Sequence, residues 1–293
     1  MAAFPIPVRA IGPGSQPPED AELDVMAMPQ GMNTFEMPRV PERVPAEVMR
    51  ESAAVLDRMI EALARWDAGG PGPGPRVPLD SLSSAALEVT NQVLGEGEVS
   101  VRLAGEPAVR IQESVFAGLW RCGELSADGR LARYWLEAGS VPQAVLQAAA
   151  QATAQVQAPE PWPAGAMNSP ALLAELRARL VERGQGGRGG QVNLTLLPLS
   201  PDDRQVIDAA LPVGPVAIIS RGFGNCHVGS TAVRGVWRVQ FFNSMNTLIL
   251  DTIEVTEMPE AVAASPEDLD DSRGRLAELV QWMREAAADE LAH

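Results

Sequence analysis

An internal repeat with a period of 117 residues constrains the fold of this chain more than any other feature of its sequence. Trp120 lies in Gly-Leu-Trp-Arg, and Trp237 lies in Gly-Val-Trp-Arg at that spacing. Between positions 82 and 145 the same spacing pairs thirteen identical residues without a gap, and the first members of these pairs are Leu82, Ser83, Val89, Leu94, Gly97, Val99, Gly118, Trp120, Arg121, Glu137, Pro142, Ala144 and Val145. A period this long excludes a solenoid, so we expect two tandem or intertwined halves.

Both copies show the same order of predicted elements. A short helix, at about 81–93 and again at 201–210, leads into runs that are rich in β-branched and aromatic residues. Turn-forming residues separate these runs at Gly105, Asp128-Gly129, 222–225 and 243–246. We therefore predict an α+β protein with two tandem divergent repeats, each a helix plus antiparallel β-hairpins with flanking helices.

Helical and helix-breaking patterns divide the chain further. Residues 45–66 carry apolar side chains at helical spacing, and a second helix is predicted over 141–157. Ser169-Pro170 is typical of an N-cap followed by the first helical position, and the glycine-rich 184–190 is typical of a flexible break. The predicted segments are an extended Pro/Met-rich N-terminal arm (1–44), a helix and linker (45–78), the first α+β repeat (79–157), a linker and helix (158–190), and the second α+β repeat with an acidic C-terminal helix (191–293).

Charge and cysteine content narrow the class of protein. A formal net charge of −15 leaves no basic surface to replace the counterions of nucleic acid, so we expect no nucleic-acid partner. No run of 18 apolar residues occurs, so we expect no membrane insertion, and the first residues lack the pattern of a secretory signal. The two cysteines show no Cys-x-x-Cys spacing, which predicts a protein of the reducing cytoplasm.

The stretch 220–244 concentrates rare residues, but it does not predict a metal site. Cys226 and His227 are adjacent, and adjacent side chains of a strand point to opposite faces. The chain supplies two thiols and two imidazoles, one of them on the terminal His293, whereas zinc takes four ligands. We therefore predict no metal and no cofactor, and expect Cys226 to be a small buried residue.

Phosphate binding and catalysis are equally weakly supported. Gly222-x-Gly224 lacks the third glycine of a dinucleotide fingerprint, and neither Gly-Lys-Ser/Thr nor Gly-x-Ser-x-Gly occurs. The carboxylate pairs Asp202-Asp203 and Asp270-Asp271 fall in first turns of predicted helices, where they complement the helix dipole. We predict no catalytic residues and no enzyme, with a small-molecule enzyme using the turn 221–225 as the alternative.

The repeated Trp-Arg pair predicts a core role for both tryptophans. Arg121 and Arg238 have two interpretations. They pair internally with Glu137 and Glu254, which recur at the same spacing, or they present guanidinium groups to a ligand.

Two further segments are candidates for partner binding. The N-terminal arm carries methionines and a phenylalanine, which suit varied apolar partners or a groove of this chain or of a second copy in a homodimer: Met26, Met28, Met32, Phe35 and Met37. The second candidate is a turn with no counterpart in the first repeat, together with one residue of the next turn: Arg221, Gly222, Phe223, Gly224, Asn225, Cys226 and Asn243.

Long motifs of the chain resemble the HupH/HyaF/HoxQ family of hydrogenase expression proteins. They are 222–262 followed by the acidic 267–279, the first-copy stretches 95–103 and 109–121, and IGPGSQPPE with MPQGMNTFEMPRVPE in the arm. The resemblance implies a cytoplasmic role in maturation of [NiFe] uptake hydrogenases. It also implies that the protein binds the iron–sulfur small-subunit precursor before twin-arginine export, together with a second small maturation chaperone.

The chemistry of the residues is compatible with that role. Residues 257–293 hold ten acidic residues against three arginines, a surface that suits the paired arginines of an export signal. The arm or a sheet edge would take the apolar part of the signal. The alternative in the same pathway is an iron–sulfur carrier or oxygen-protective scaffold that uses Cys226 and Cys122.

Overall fold

The computed structural model describes residues 44–67, 72–222 and 224–291. The arm residues singled out above (Met26, Met28, Met32, Phe35 and Met37) and Phe223 lie outside these ranges. None of the described helices is both long enough and apolar enough to cross a lipid bilayer.

One antiparallel sheet of ten strands organises the described chain, and six α-helices pack on it, so the predicted α+β class is confirmed. The strands are β1 (Arg76–Pro78), β2 (Val99–Leu103), β3 (Ala108–Glu113), β4 (Leu119–Leu125), β5 (Leu131–Ala138), β6 (Gly190–Asn193), β7 (Val213–Ser220), β8 (Asn225–Thr231), β9 (Val236–Phe242) and β10 (Leu248–Val255). The helices are α1 (Ala46–Arg65), α2 (Ser84–Leu94), α3 (Gln143–Ala150), α4 (Ser169–Gly184), α5 (Pro201–Ala210) and α6 (Pro266–Leu291), with a 3-10 turn at Glu260–Val262.

The order of strands is β1-β5-β4-β3-β2-β7-β8-β9-β10-β6, with β2 and β7 at the centre. Val101 on β2 lies opposite Ile218 on β7, and these two residues are 117 positions apart. From β2 the strands follow outward as β3, β4, β5 and the short edge strand β1. From β7 they follow outward as β8, β9, β10 and the short edge strand β6. The connectivity of the strands is therefore equivalent on the two sides of the central pair.

The two faces of the sheet carry different cores. On one face, here called the Trp face, Trp120 and Trp237 are each 1% exposed and pack with Val145 of α3 and Val262 of the 3-10 turn. The predicted core role of both tryptophans is confirmed. The other face, here called the Arg face, packs against α1, α2 and α6 over β1, β4 and β5, and against α4 and α5 over β6, β9 and β10.

Helices α1 and α6 form because each has one apolar stripe to bury. On α6 that stripe contains Leu276, Val280 and Met283, which join the same core as the stripe of α1. An ion pair between Arg284 and Asp57 joins the exposed margins of the two helices. The opposite side of α6 therefore remains in solvent.

Asp203 connects α4 to α5, which is more than the dipole role that the sequence predicted for it. It completes a capping box with Ser200, and its Oδ1 accepts hydrogen bonds from the backbone NH groups of Asn168 (2.9 Å) and Ser169 (2.8 Å). Burial alone would raise the pKa of Asp203, but the NH groups of Ser169, Ser200 and Asn168 outweigh burial and lower it. The helix α4 has Asn168, not Ser169, as its N-cap.

Three segments differ from the sequence-based prediction. Arg76–Pro78, expected in a linker, forms β1, and Gly190–Asn193, at the end of the expected glycine break, forms β6. Helix α3 ends at Ala150 instead of continuing to 157, because the NH of Ala154 bonds to the carbonyl of Ala232 (3.0 Å) and Val156 enters a core. In each case pairing with a distant segment decides the structure.

Candidate partner-binding surfaces

Arg121 lies on β4 of the Arg face, under the end of α2. Its side chain is 10% exposed, and its guanidinium donates to Asn91 Oδ1 (3.2 Å) and lies 3.6 Å from Glu96 Oε1. Its Nε is buried without a hydrogen-bond partner among the described residues. Arg121 is therefore largely enclosed and is not presented to a ligand.

Arg238 occupies the same position on β9, under α5. Its Nε and one terminal nitrogen donate to the two oxygens of Asp251 (3.0 and 2.8 Å), and the other terminal nitrogen donates to Asp208 (2.9 Å). Although burial opposes the charge, the bonds and charges of Asp251 and Asp208 raise the pKa of Arg238. This arginine is neutralised within the protein.

The predicted pairing of these arginines with Glu137 and Glu254 is wrong, and the strand register gives the reason. Glu137 lies opposite Trp120, and Glu254 lies opposite Trp237, so both carboxylates belong to the Trp face. Glu137 instead accepts hydrogen bonds from Arg76 (2.7 Å) and from Trp135 Nε1 (3.0 Å).

The turn between β7 and β8 packs against the residue that precedes β2. The NH of Arg221 donates to the carbonyl of Glu98 (3.1 Å), and a Cβ at Gly222 would collide with Glu98 Oε2. Gly224 has φ +102°, which an L side chain rarely adopts. The backbone conformation therefore favours glycine at Gly224, whereas at Gly222 the obstacle is the end of the flexible Glu98 side chain, which can move aside.

Asn225 and Asn243 meet through the neighbouring hairpin tip. Asn225 Nδ2 donates to Asn246 Oδ1 (3.3 Å), and Asn243 Oδ1 accepts from the NH groups of Met245 and Thr247 (2.9 Å each). Met245 stands at this tip with 80% of its surface exposed. The structure therefore joins the predicted turn and Asn243 into one corner, whereas Arg121 and Arg238 lie elsewhere beneath helices.

Glu113, which the sequence analysis did not single out, lies buried at the same end of the sheet. It is 7% exposed, and its Oε1 accepts from the NH of Gly118 (3.1 Å). Burial, with the charges of Glu98 and Asp268, raises the pKa of Glu113 to about 7. The sequence did hold an indication, because Val109, Ile111 and Glu113 alternate on one face and place a carboxyl in an apolar series.

The two cysteines are buried and far apart. Burial, then the charge of Glu254, raises the pKa of Cys226 to about 12, so its thiol is protonated. Cys122 on β4 and Cys226 on β8 are separated by four strand spacings, which at about 4.8 Å each places them about 19 Å apart. His227 points to the other face, where its ring lies 4.7 Å from that of Phe242. Within the described residues, no three His, Cys, Asp or Glu side chains are grouped so as to hold a metal.

The solvent side of α6 forms a second candidate surface, here called the acidic α6 face. It comprises Glu278, Trp282, Glu285 and Asp289, which recur at helical spacing. All four are exposed, and Trp282 is 44% exposed. In the first turns of α6 the arginines pair with acids of the same helix, but no described arginine forms an ion pair with the three acids of this face. Sequence analysis predicted the acidity but missed Trp282.

Comparison with known proteins identifies close relatives along nearly the whole chain. The family model of the HupH hydrogenase expression protein C-terminal conserved region matches residues 48–158 and 166–283. Hydrogenase expression/formation protein HoxQ of Cupriavidus necator is 43% identical over 289 residues, which cover 97% of this chain and 99% of that protein. Hydrogenase expression/formation protein HupH of Rhodobacter capsulatus is 40% identical over 285 residues, which cover 97% of this chain and 100% of that protein.

A more distant relative is similar over most of the chain, and one solved structure is similar to part of it. Hydrogenase-1 operon protein HyaF of Escherichia coli is 33% identical over 282 residues, which cover 94% of this chain and 96% of that protein. The solved structure of hydrogenase expression protein HupH from Thiobacillus denitrificans is 29% identical and covers 38% of this chain and 92% of that chain, with a TM-score of 0.36.

Proposed function

The chain belongs to the HupH family of hydrogenase expression proteins, and from this premise we propose that it is a non-enzymatic assembly chaperone for a [NiFe] hydrogenase. It binds the iron–sulfur small-subunit precursor, with its twin-arginine signal peptide, before export. A second small maturation chaperone takes part in the same complex. The observation that supports this proposal most directly is the acidic α6 face with its exposed tryptophan.

The acidic α6 face has the chemistry to bind paired arginines. A guanidinium stacks on an exposed indole by a cation–π contact, and the flanking carboxylates of Glu278 and Glu285 accept charge-assisted hydrogen bonds from it. Asp289 lies near the carboxyl end of the helix, where the helix dipole disfavours negative charge, and α6 has no basic residue in its last turn. The charge of Asp289 at this end of the helix lowers the stability of the free protein, and a bound basic partner would offset that loss.

The apolar part of the signal has a separate binding place at the edge of the sheet. Within the described part of the chain, strand β6 pairs with β10 on one side only and stands last in the strand order, so its other side would offer backbone groups to an added strand. Leu196, which follows β6, is 79% exposed, and Ile249 at the start of β10 is 56% exposed. An extended apolar segment added to β6 would cover both side chains.

We infer that the two halves of the protein arose by duplication and serve mainly as a scaffold. Strands β4 and β9 begin and end 117 residues apart, and so do β5 and β10. The positions 117 residues before Glu278, Trp282 and Glu285 lie between α3 and α4, outside any helix, so the acidic α6 face belongs to one half only. Partner binding therefore uses the acidic α6 face, which is not part of the duplicated scaffold.

The alternative of an iron–sulfur carrier has little support from the geometry. Two protonated thiols about 19 Å apart would contribute one ligand each to separate sites, and a cluster usually takes four thiolates.

The test is a binding titration with a fluorescent peptide that carries the export signal of the small subunit. The variant replaces Glu278, Glu285 and Asp289 by Gln, Gln and Asn, and the matched control replaces three exposed acids elsewhere, Glu88, Glu106 and Glu182, by Gln. We expect the α6 variant to lose affinity by about tenfold or more at low salt and the control to lose little. A peptide whose arginines are changed to glutamine should bind weakly to the wild type. Equal affinity for both peptides at all salt concentrations would contradict the proposal.

A further inference from the structure

Arg102 and Arg110 form an unusual pair in the centre of the Arg face. They lie directly opposite each other on β2 and β3, at a separation of about 5 Å between Cβ atoms for such cross-strand pairs. Like charges in directly opposed positions destabilise a sheet. Burial, together with the charge of Arg110, lowers the pKa of Arg102.

The pair has no counter-ion within the part of the chain that the structure describes. Ten other arginines form ion pairs there, and Arg238 on the same face binds two aspartates. Arg102 is half-buried and Arg110 is exposed, yet no carboxylate of the described residues contacts either guanidinium. In a chain with 38 acidic and 23 basic residues, two adjacent arginines without an acid partner call for a physical reason.

The exposure of the two arginines lets an incoming chain reach them, because Arg110 is exposed and Arg102 is half-buried. The apolar cores under α1, α2 and α6 and under α4 and α5 include side chains of outer strands on the Arg face, but none from the Arg face of β2 and β3. The row that crosses the sheet at this level continues from the pair into small residues: Gly123 lies beside Arg110, Ala217 lies beside Arg102, and Gly229 lies beside Ala217. Both glycines are buried, and the side chain of Leu131 lies over Gly123, so an incoming group would reach the guanidinium groups from the solvent side of Arg110 and Arg102.

Neighbouring polar groups do not use these guanidinium groups. Ser100 donates to the side-chain carbonyl of Gln112, and Gln112 Nε2 donates to the carbonyls of Gly97 (3.1 Å) and Val99 (3.3 Å). The positions 117 residues after Arg102 and Arg110 hold Ile219 and His227, and both of these are buried. The scaffold therefore does not require arginine at either position.

We propose that Arg102 and Arg110 bind a carboxylate of an acidic segment supplied by a partner protein. Each guanidinium offers a planar fork of donors that fits a carboxylate, and two forks on neighbouring strands hold one carboxylate from both sides. The ligand also removes the repulsion between the two arginines, which the free protein otherwise bears. The site is opposite in charge to the acidic α6 face and does not depend on the proposed function.

The test uses the full chain and a fluorescein-labelled hexaglutamate peptide, with binding followed by anisotropy at low salt. We expect Arg102→Gln and Arg110→Gln each to weaken binding by about tenfold, the value for losing a charge-assisted hydrogen bond. The matched control is Arg188→Gln, which removes the same charge from an exposed arginine outside the sheet and should change affinity by less than about twofold. Affinity for the export-signal peptide should stay unchanged in all three variants.

A second measurement separates loss of the site from loss of the fold. Arg110→Gln removes a like-charge contact, so its urea midpoint should equal or exceed that of the wild type while its peptide affinity falls. The proposal is overturned if the wild type shows no saturable binding, or if Arg188→Gln weakens binding as much as the pair variants. It is also overturned if Arg110→Gln lowers the midpoint, because the arginine would then be stabilised by contacts within the free protein.

Discussion

Replacing Glu113 with glutamine should make the free energy of unfolding less dependent on pH. The pKa of Glu113 is raised from 4.5 to about 7 by burial and by the charges of Glu98 and Asp268, whereas in the unfolded chain it returns to its ordinary value. The folded protein thus holds a proton that the unfolded chain releases. The wild type is therefore most stable below the unfolded pKa, and this contribution is lost as the pH rises through about 7.

The size of the effect follows from the shift. A difference of about 2.5 pKa units corresponds to about 3 kcal/mol at high pH, and about 2 kcal/mol of this is lost between about pH 5.5 and about pH 8. Glutamine keeps an oxygen that accepts from the NH of Gly118 but has no proton to release. The variant should therefore not show this part of the loss.

Urea unfolding at about pH 5.5 and about pH 8 measures the effect for the wild type and for Glu113→Gln. We expect the stability of the variant relative to the wild type to rise by about 2 kcal/mol between the two pH values. The exposed Glu106→Gln serves as the control and should show no such rise. A stability difference that is the same at both pH values would refute the reasoning.

Three further substitutions test the packing of the site. Arg238→Ala leaves the buried Asp251 without its partner and should lower the free energy of unfolding by about 2–3 kcal/mol, measured by urea titration. Trp120→Phe removes a hydrogen bond from the indole NH to a backbone carbonyl (2.8 Å). The indole NH of Trp237 has no partner among the described residues. Trp120→Phe should therefore lower the free energy of unfolding by about 1–2 kcal/mol more than Trp237→Phe in the same assay. Gly224→Ala forces φ +102° on an alanine and should lower the melting temperature, corresponding to about 1 kcal/mol or more; an unchanged melting temperature would contradict this account of the turn.

Apolar periodicity and turn residues were sufficient to predict the long elements. The second short helix was predicted at 201–210, which is where α5 lies, and the turn residues at 222–225 separate two strands of the structure. Both features are local, because a helix stripe and a hairpin turn are encoded within a dozen residues. The edge strands β1 and β6 were missed, because they have three and four residues and contain the Pro and Gly that usually mark loops.

The side-chain partners were harder to predict than the elements. Arg121 and Glu137 recur together in the second repeat, yet the register places them on opposite faces of the sheet. Register follows from the pairing of whole strands, which a spacing between two residues does not define. Trp282 was missed for a similar reason, because its exposure depends on which side of α6 meets α1.

Co-purification with the hydrogenase small-subunit precursor tests the central claim most directly. A tagged precursor, with and without its signal peptide, is expressed together with the wild type or with the variant that neutralises Glu278, Glu285 and Asp289. The account predicts a stable complex of the wild type with the complete precursor, and a weaker one when either the signal or the acidic α6 face is removed. If neither form of the precursor retains the wild-type protein, the chaperone function is contradicted.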